Sequence, residues 1–534
     1  MRLINNFRQC RIKVTPIFGT KSLLLILLLS TVGCNLPSTS ITDPPRSSQR
    51  KTEIAAILNP SELSTQQSTP GTNNPTPATS ITQPTPTATI ESTLENPPLD
   101  GYFLYKTQQS DTLPALAKRF DVPEESILAD FPISETGLLP IGIQLQIPDI
   151  LEGYLPYKAP ILPDSEVIYG PSVGDFNIAD YIRSANGFLA TYEEQVKEKT
   201  LSGIEIVEYV SIATSTNPRL LLAFLEYQSG WVFGFPPGAQ DDRYPIGFGA
   251  TNDTGLYKEL MITAKVLAQG FYGWRDGSRL DISFYGGKSA RLAPQLNAGS
   301  SALMALFGSI YPQAVWETHL FGENSFLDFY QEMFGDSASR AAAVEPYLSH
   351  TTQQPELMLP FAPGGNWSFT GGPHMTWQTG TPKGAVDFAP VTGEPACAVS
   401  RWWATAAAPG LVVRSDWNVV ALDLDGDGDE GTGWVLIYMH ISEQDRPPEG
   451  IWLESDDNVG HPSCEGGSST GTHLHFARKY NGEWLGVMDP LPMVLSGWRV
   501  FAGERRYEGF MQKGDQIVTA VPYGSSESII SRDE

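Results

Sequence analysis

Residues 411–441 read LVVRSDWNVVALDLDGDGDEGTGWVLIYMHI. Apolar and polar residues alternate here, and the alternation breaks at Trp417-Asn418 and again in the Gly/Asp run that follows Asp423. Side chains of a strand point to opposite faces with period two, so the stretch predicts strand, turn, strand, turn, strand. The same character, with glycine-rich turns and alternating apolar residues, extends over 361–515 and predicts a mainly antiparallel β domain. Beyond it, residues 521–534 are polar and are expected to form a flexible tail.

The run Asp423-Leu424-Asp425-Gly426-Asp427-Gly428-Asp429-Glu430 invites a calcium reading. A helix-loop-helix calcium loop needs a bidentate acid at its twelfth position. Counting from Asp423 puts Trp434 there, and counting from Asp425 puts Leu436 there. Neither register works, whereas a hairpin turn favours Gly and Asp in any case.

Five of the seven histidines fall in 361–515. His473 and His475, in GTHLHFARKYNGEW, share one face if the segment is a strand. His440 ends the strand GWVLIYMHI, and His374 and Asp387 lie upstream in GGPHMTWQTGTPKGAVDFAP. Histidines from separate elements plus an Asp supply the nitrogen and oxygen donors of a catalytic zinc site. Such a site takes three protein ligands and leaves the fourth position to a water. His461, beside Pro462, reads as a structural or rim residue, and His319 and His350 have no partner signal. Cys397 and Cys464 lie in this one domain, and an exported pair of that kind predicts a disulfide.

The pattern over 365–495 resembles the lysostaphin/LytM-type zinc metalloendopeptidases, which carry a His and an Asp early, a His between, and a His-x-His late. The common branch opens with His-x-x-x-Asp, but four residues before Asp387 stands Lys383. His374 precedes Asp387 by the longer spacing of the staphylolytic (β-lytic) branch. The resemblance implies zinc ligands His374, Asp387 and His475, and it gives His440 and His473 catalytic work on the water and the developing oxyanion. It also implies cell-wall peptides as substrate, with glycine-containing cross-links suggested by the branch. The competing reading is a non-catalytic peptidoglycan-binding protein or a regulator of wall hydrolases. Relatives that lose a ligand become such regulators, and with His374 accepted this chain has lost none.

The N-terminal third addresses the chain. Residues 1–33 carry five basic residues and no acid, then the short apolar run LLLILLL at 23–29. That run is too short to span a bilayer and has the order of a secretory signal. Thr31-Val32-Gly33-Cys34 resembles a bacterial lipobox, which implies lipidation of Cys34 and a membrane-anchored, exported protein. Residues 34–100 are rich in Ser, Thr and Pro and cannot bury enough apolar surface to fold. As a flexible linker this tract would hold the next domain about 40–50 Å from its anchor.

Residues 101–150 predict a compact βααβ unit: a strand at 102–106, a helix capped by Ser110-Asp111, a second helix from Pro123 through Leu128, and a strand at 144–147. YKTQQSDTLPALAKRFDVPEESIL and LLPIGIQLQIPD resemble a LysM domain, although Ser110 stands where a Gly is usual. The resemblance implies binding of N-acetylglucosamine-containing glycan, chiefly peptidoglycan.

Residues 165–350 are mostly helical by pattern, with Asn217-Pro218 opening a strongly apolar helix. NPRLLLAFLEYQSGW resembles the helix that carries the catalytic acid of lytic transglycosylases and goose-type lysozymes. Those enzymes need Glu-Ser-Gly, and here the step is Gln228-Ser229-Gly230. An amide cannot donate and reclaim the proton, and Glu226 lies on the far side of the helix. An inactive lysozyme-like domain and a plain helical spacer both stay open.

At 534 residues the chain has room for three or four domains. Its formal charge is −25, with 35 basic against 60 acidic residues, and loss of the five basic residues in 1–33 would make it about −30. That sign opposes nonspecific binding to nucleic acid, which needs cations on the phosphates.

Overall fold

The computed structural model describes residues 99–174, 176–235, 243–248 and 254–533. The signal segment, Cys34 and nearly all of the linker lie outside the described residues. Among the described residues no helix is long and apolar enough to cross a membrane.

Tyr102–Lys106 pairs antiparallel with Gln144–Pro148, and helix Leu113–Phe120 packs against the pair on a core of its own. Two details differ from expectation. The helix is capped one residue later, by Thr112, whose hydroxyl accepts the Ala115 N–H. Asp111 is drawn inward by Arg119 and by the Tyr105 hydroxyl at 2.8 Å. The expected second helix is only a 3-10 turn, Glu124–Ser126, because Leu128 has already bridged to Gln146 in extended geometry.

The following region is helical, apart from two small hairpins. Ser202 and Glu205 form a reciprocal capping box at the start of Gly203–Thr214. Asn217 caps Pro218–Ser229, with proline at the first turn and Gly230 in the left-handed conformation closing it. Glu226 is buried and accepts the N–H groups of Val232 and Phe233 at 2.8 and 3.1 Å, tying down the loop after its own helix. The Gln228 amide oxygen accepts the Tyr311 hydroxyl at 2.8 Å.

The C-terminal region is built on an antiparallel sheet. Its strands run in the order Trp452–Leu453, Gly410–Asp416, Val419–Asp423, Trp434–Met439, Leu474–Tyr480, Lys383–Pro390, Trp367–Met375, Ile529–Ile530. The three strands expected within 411–441 are present, and Asp423 to Asp429 form the expected turn, each carboxylate accepting backbone N–H groups just ahead of it. Residues 521–533 depart from the flexible tail expected over 521–534. Ile529 and Ile530 pair with Ser368 and Trp367, and Ile530 is buried. A pair of isoleucines beside an open sheet edge gains more from burial and ladder bonds than from solvation.

The sheet has two differently covered faces. Val386, Phe388, Val420, Leu436 and Phe476 point into a core internal to this region. Ala385, Val419, Ala421, Ile437 and Ala477 point the other way, into one continuous core with the helices. Trp484 sits in that seam, its backbone N–H donating to the Tyr272 hydroxyl at 3.0 Å, and the Lys479 ammonium donates to the Ile212 carbonyl at 3.2 Å. The helical region and the sheet therefore share a hydrophobic core.

Candidate metal centre

Register brings the predicted ligands together. Asp387 is the middle residue of three, opposite His475 on one neighbouring strand and opposite Gly371 on the other. The Trp367–Met375 strand is bulged on both sides of Gly371, and the bulges re-aim its end so that His374 turns toward Asp387. Gly371 is required by sterics, because a Cβ there would run into the Asp387 carboxylate.

Three donor atoms converge. His374 Nε2 lies 3.3 Å from Asp387 Oδ1 and 3.0 Å from His475 Nδ1, and His475 Nδ1 lies 3.3 Å from Asp387 Oδ1. The outer nitrogens fix the tautomers. His374 Nδ1 meets the Gly372 carbonyl at 2.9 Å, and His475 Nε2 meets the Thr376 carbonyl at 2.9 Å. A carbonyl oxygen only accepts, so each outer nitrogen carries its ring's proton, and in the neutral rings the two inner nitrogens face each other as lone pairs. Asp387 Oδ1 is buried and has no hydrogen-bond partner among the described residues.

Lone pairs and a carboxylate crowded this closely repel unless a cation sits among them. Two imidazoles and a carboxylate, each ring oriented by an outer carbonyl, are the donor set and outer-shell pattern of a catalytic zinc. The residues present fit the metal. Electrostatics agree: burial lowers the His374 pKa to about 4, keeping the ring neutral and free to ligate. Burial pushes Asp387 up, but His374, His475 and His473 outweigh it and hold the carboxyl at about 2.

His440 and His473 stand beside this set. His473 donates from Nδ1 to the Gly471 carbonyl at 2.7 Å, which turns Nε2 toward Asp387 Oδ1, 3.8 Å away. His440 donates from Nδ1 to the Glu465 carbonyl at 3.0 Å, and its ring centroid lies 4.5 Å from that of His473. Its backbone is left-handed, with φ 63°, which swings the ring off the end of Trp434–Met439. Burial lowers its pKa to about 4. His473 and His475 do project to the same side, although the regular strand begins only at Leu474.

All five residues line one cleft of about 1150 Å³. His461 stays outside it, packed at a tilt against Trp403 with centroids 3.8 Å apart. His319 is in the helical region, bonded to the Tyr227 hydroxyl at 2.6 Å. Cys397 and Cys464 are joined by a disulfide, as expected. The bridge holds the segment whose next carbonyl, that of Glu465, orients His440.

Several residues of the cleft gave no signal in the sequence. Tyr507 reaches it from the turn before Gly509–Lys513 and stacks on His374, centroids 4.3 Å apart. Gly371 looked like any other glycine, and the segment 522–529 looked like tail. The loop 376–381, which supplies the Thr376 carbonyl, is buttressed from the helical side: Trp377 packs into the shared core, and Gly380 lies against Gln269.

Residues 160–347 match the family described as LasA, N-terminal domain. Over 386 residues the chain is 26% identical to Protease LasA of Pseudomonas aeruginosa strain UCBPP-PA14, spanning 68% of this chain and 82% of that protein. The figures for the PAO1 strain's Protease LasA are the same. Among solved structures, the M23 metalloprotease pseudoalterin from the deep sea is 21% identical with a TM-score of 0.28, covering 34% of this chain and 99% of that one. The catalytic domain of the antimicrobial peptidase lysostaphin from Staphylococcus simulans is 22% identical with a TM-score of 0.16, covering 24% of this chain and 89% of that one.

Proposed function

We propose that the chain is an exported zinc metalloendopeptidase that cuts peptide bonds of cell-wall peptidoglycan. The observation that carries this reading is the convergence of His374 Nε2, Asp387 Oδ1 and His475 Nδ1, with the outer nitrogen of each ring on a carbonyl oxygen. The similarity to Protease LasA supports it. A zinc ion held by these three residues supplies Lewis acidity and a water acidified toward neutral pH. The chain's own residues do the rest. His440 and His473 each have Nδ1 committed to a carbonyl, so each presents a basic Nε2 to the cleft. One takes a proton from the attacking water and returns it to the departing amine. The other would donate to the oxygen that becomes negative after its Nε2 has taken up a proton from solvent in the cleft.

The remaining parts position this chemistry. Lipidated Cys34 anchors the protein at the membrane, the 34–100 linker gives it reach, and the 101–150 unit supplies a LysM-type contact with glycan. The acidic chain gains nothing from charge attraction to an anionic wall, so its affinity rests on specific contacts.

The test is zinc content and wall-peptide cleavage of the full chain, with and without His374→Ala or His475→Ala. About one zinc per chain, lost together with cleavage in either variant, is the expected result. A folded, zinc-replenished protein that holds no zinc would replace this reading with a non-catalytic wall-binding protein.

A further inference from the structure

Resting on the peptidase reading, we propose that the segment 521–530 is the outer wall of the substrate cleft and that Tyr523 is a specificity-determining residue that packs on the backbone of a bound wall peptide. Pro522, Tyr523, Gly524, Ser525 and Ile529 line the same cleft as His374 and Asp387. The Tyr523 side chain is held out in the open: the residue is 89% exposed. Among the described residues no aromatic ring packs against it.

The backbone holds it there at a cost. Residues 521–524 form a turn closed by the Gly524 N–H on the Val521 carbonyl at 2.9 Å, with Pro522 in the first central position. Tyr523 takes the second, at φ 67°. That left-handed place is normally given to glycine, and a bulky side chain there costs about 1 kcal/mol or more. The turn is pinned to the strand that carries His374. Val521 N–H donates to the Phe369 carbonyl at 3.1 Å, the Ser368 and Ser528 hydroxyls meet at 2.7 Å in the interior, and Ile529 and Ile530 complete the pairing.

This anchorage sets a distance. From Phe369 to His374 the bulged strand advances only from Phe388 to Ala385 of its partner, three residues, roughly 10 Å at about 3.3 Å per residue. That is the length of about three residues of extended peptide. Tyr523 therefore meets a substrate a few residues from the scissile bond, and it offers a flat, uncharged face. An unbranched, glycine-rich peptide presents peptide planes and methylenes to such a face without side chains in the way, as amphipathic aromatic contacts require.

The experiment uses the zinc-loaded full chain and its Tyr523→Ala and Tyr523→Phe variants, with hexaglycine, triglycine and an N-acetylglucosamine tetramer as probes. Cleavage kinetics and calorimetric binding are measured in parallel. Tyr523→Ala is expected to raise KM for hexaglycine, and to weaken its binding, by about 3- to 10-fold, the range of one aromatic contact. Its kcat stays within twofold, triglycine is unaffected, and Tyr523→Phe behaves as the parent. Unchanged hexaglycine binding in Tyr523→Ala overturns the proposal, as does a parent chain that binds no hexaglycine. Loss of tetramer binding in place of peptide binding overturns the peptide assignment. Hexaglycine binding that depends on Tyr523 without any cleavage would sink the peptidase reading and leave this one standing, and cleavage indifferent to Tyr523 would do the reverse.

Discussion

Asp387 and His475 stand directly opposite each other on adjacent antiparallel strands, with Oδ1 and Nδ1 3.3 Å apart. Gly371 is the partner of Asp387 on the other side, and its missing Cβ leaves the space the carboxylate occupies. The centre is thus a consequence of strand register, and a one-residue slip would send Asp387 to the opposite face.

Gly371→Ala is expected to displace the Asp387 carboxylate while leaving every proposed ligand in the chain. Zinc affinity should fall by roughly 10- to 100-fold, the range for disturbed outer-shell support. A competition titration against a chromophoric chelator reads this directly, and unchanged affinity would show that Asp387 is not held through Gly371.

The disulfide should matter more to His440 than to the fold as a whole. Glu465, whose carbonyl takes the His440 Nδ1 proton, follows Cys464 directly. Cys397→Ala/Cys464→Ala is expected to lower stability by about 2–5 kcal/mol and to cut kcat at temperatures where the protein is still folded. A variant with parental kcat below its melting transition would sever the link to His440. A non-reduced digest should yield the bridged peptide pair.

Gln228→Ala should leave peptide cleavage unchanged. The Gln228 amide bonds Tyr311 in the helical region and does not line the cleft, so the loss is one hydrogen bond, about 1 kcal/mol of stability. Loss of cleavage without unfolding would mean that the chemistry resides elsewhere.

Acid should loosen the seam between sheet and helices through Glu430. This buried carboxylate bonds Arg414 at 2.7 and 2.9 Å and Lys479 at 2.7 Å. Burial pushes its pKa up, but the two cations outweigh burial and hold it at about 2. A folded value below the unfolded one, about 4.3, gives stability that is present above that pH and fades as pH falls toward 2. Glu430→Gln leaves the buried Lys479 without its carboxylate and Arg414 with only Asp416 at 4.0 Å, and is expected to cost about 3–5 kcal/mol at neutral pH. Thermal melts from pH 7 to 2.5 should show a parental loss of stability over that acid window that is smaller in the variant. Equal slopes would place the acid sensitivity elsewhere.

What short-range periodicity can encode is legible in the amino-acid sequence alone. The three hairpin strands around Trp417-Asn418 and the Gly/Asp turn follow from period-two alternation, and the helix at Pro218 follows from its Asn217 cap. The pairing of His473 with His475 follows from strand spacing. Each depends on residues within a few positions of one another, where backbone geometry alone sets direction. The long-range matters belong to the tertiary structure: the carbonyls of Thr376 and Glu465 that orient His475 and His440, the steric need for Gly371, the core shared by helices and sheet, and the return of Ile529 and Ile530 to the edge strand. Those contacts join residues tens to hundreds of positions apart, and they form because the open faces and edges of one sheet must be covered. No local pattern specifies which segment will cover them.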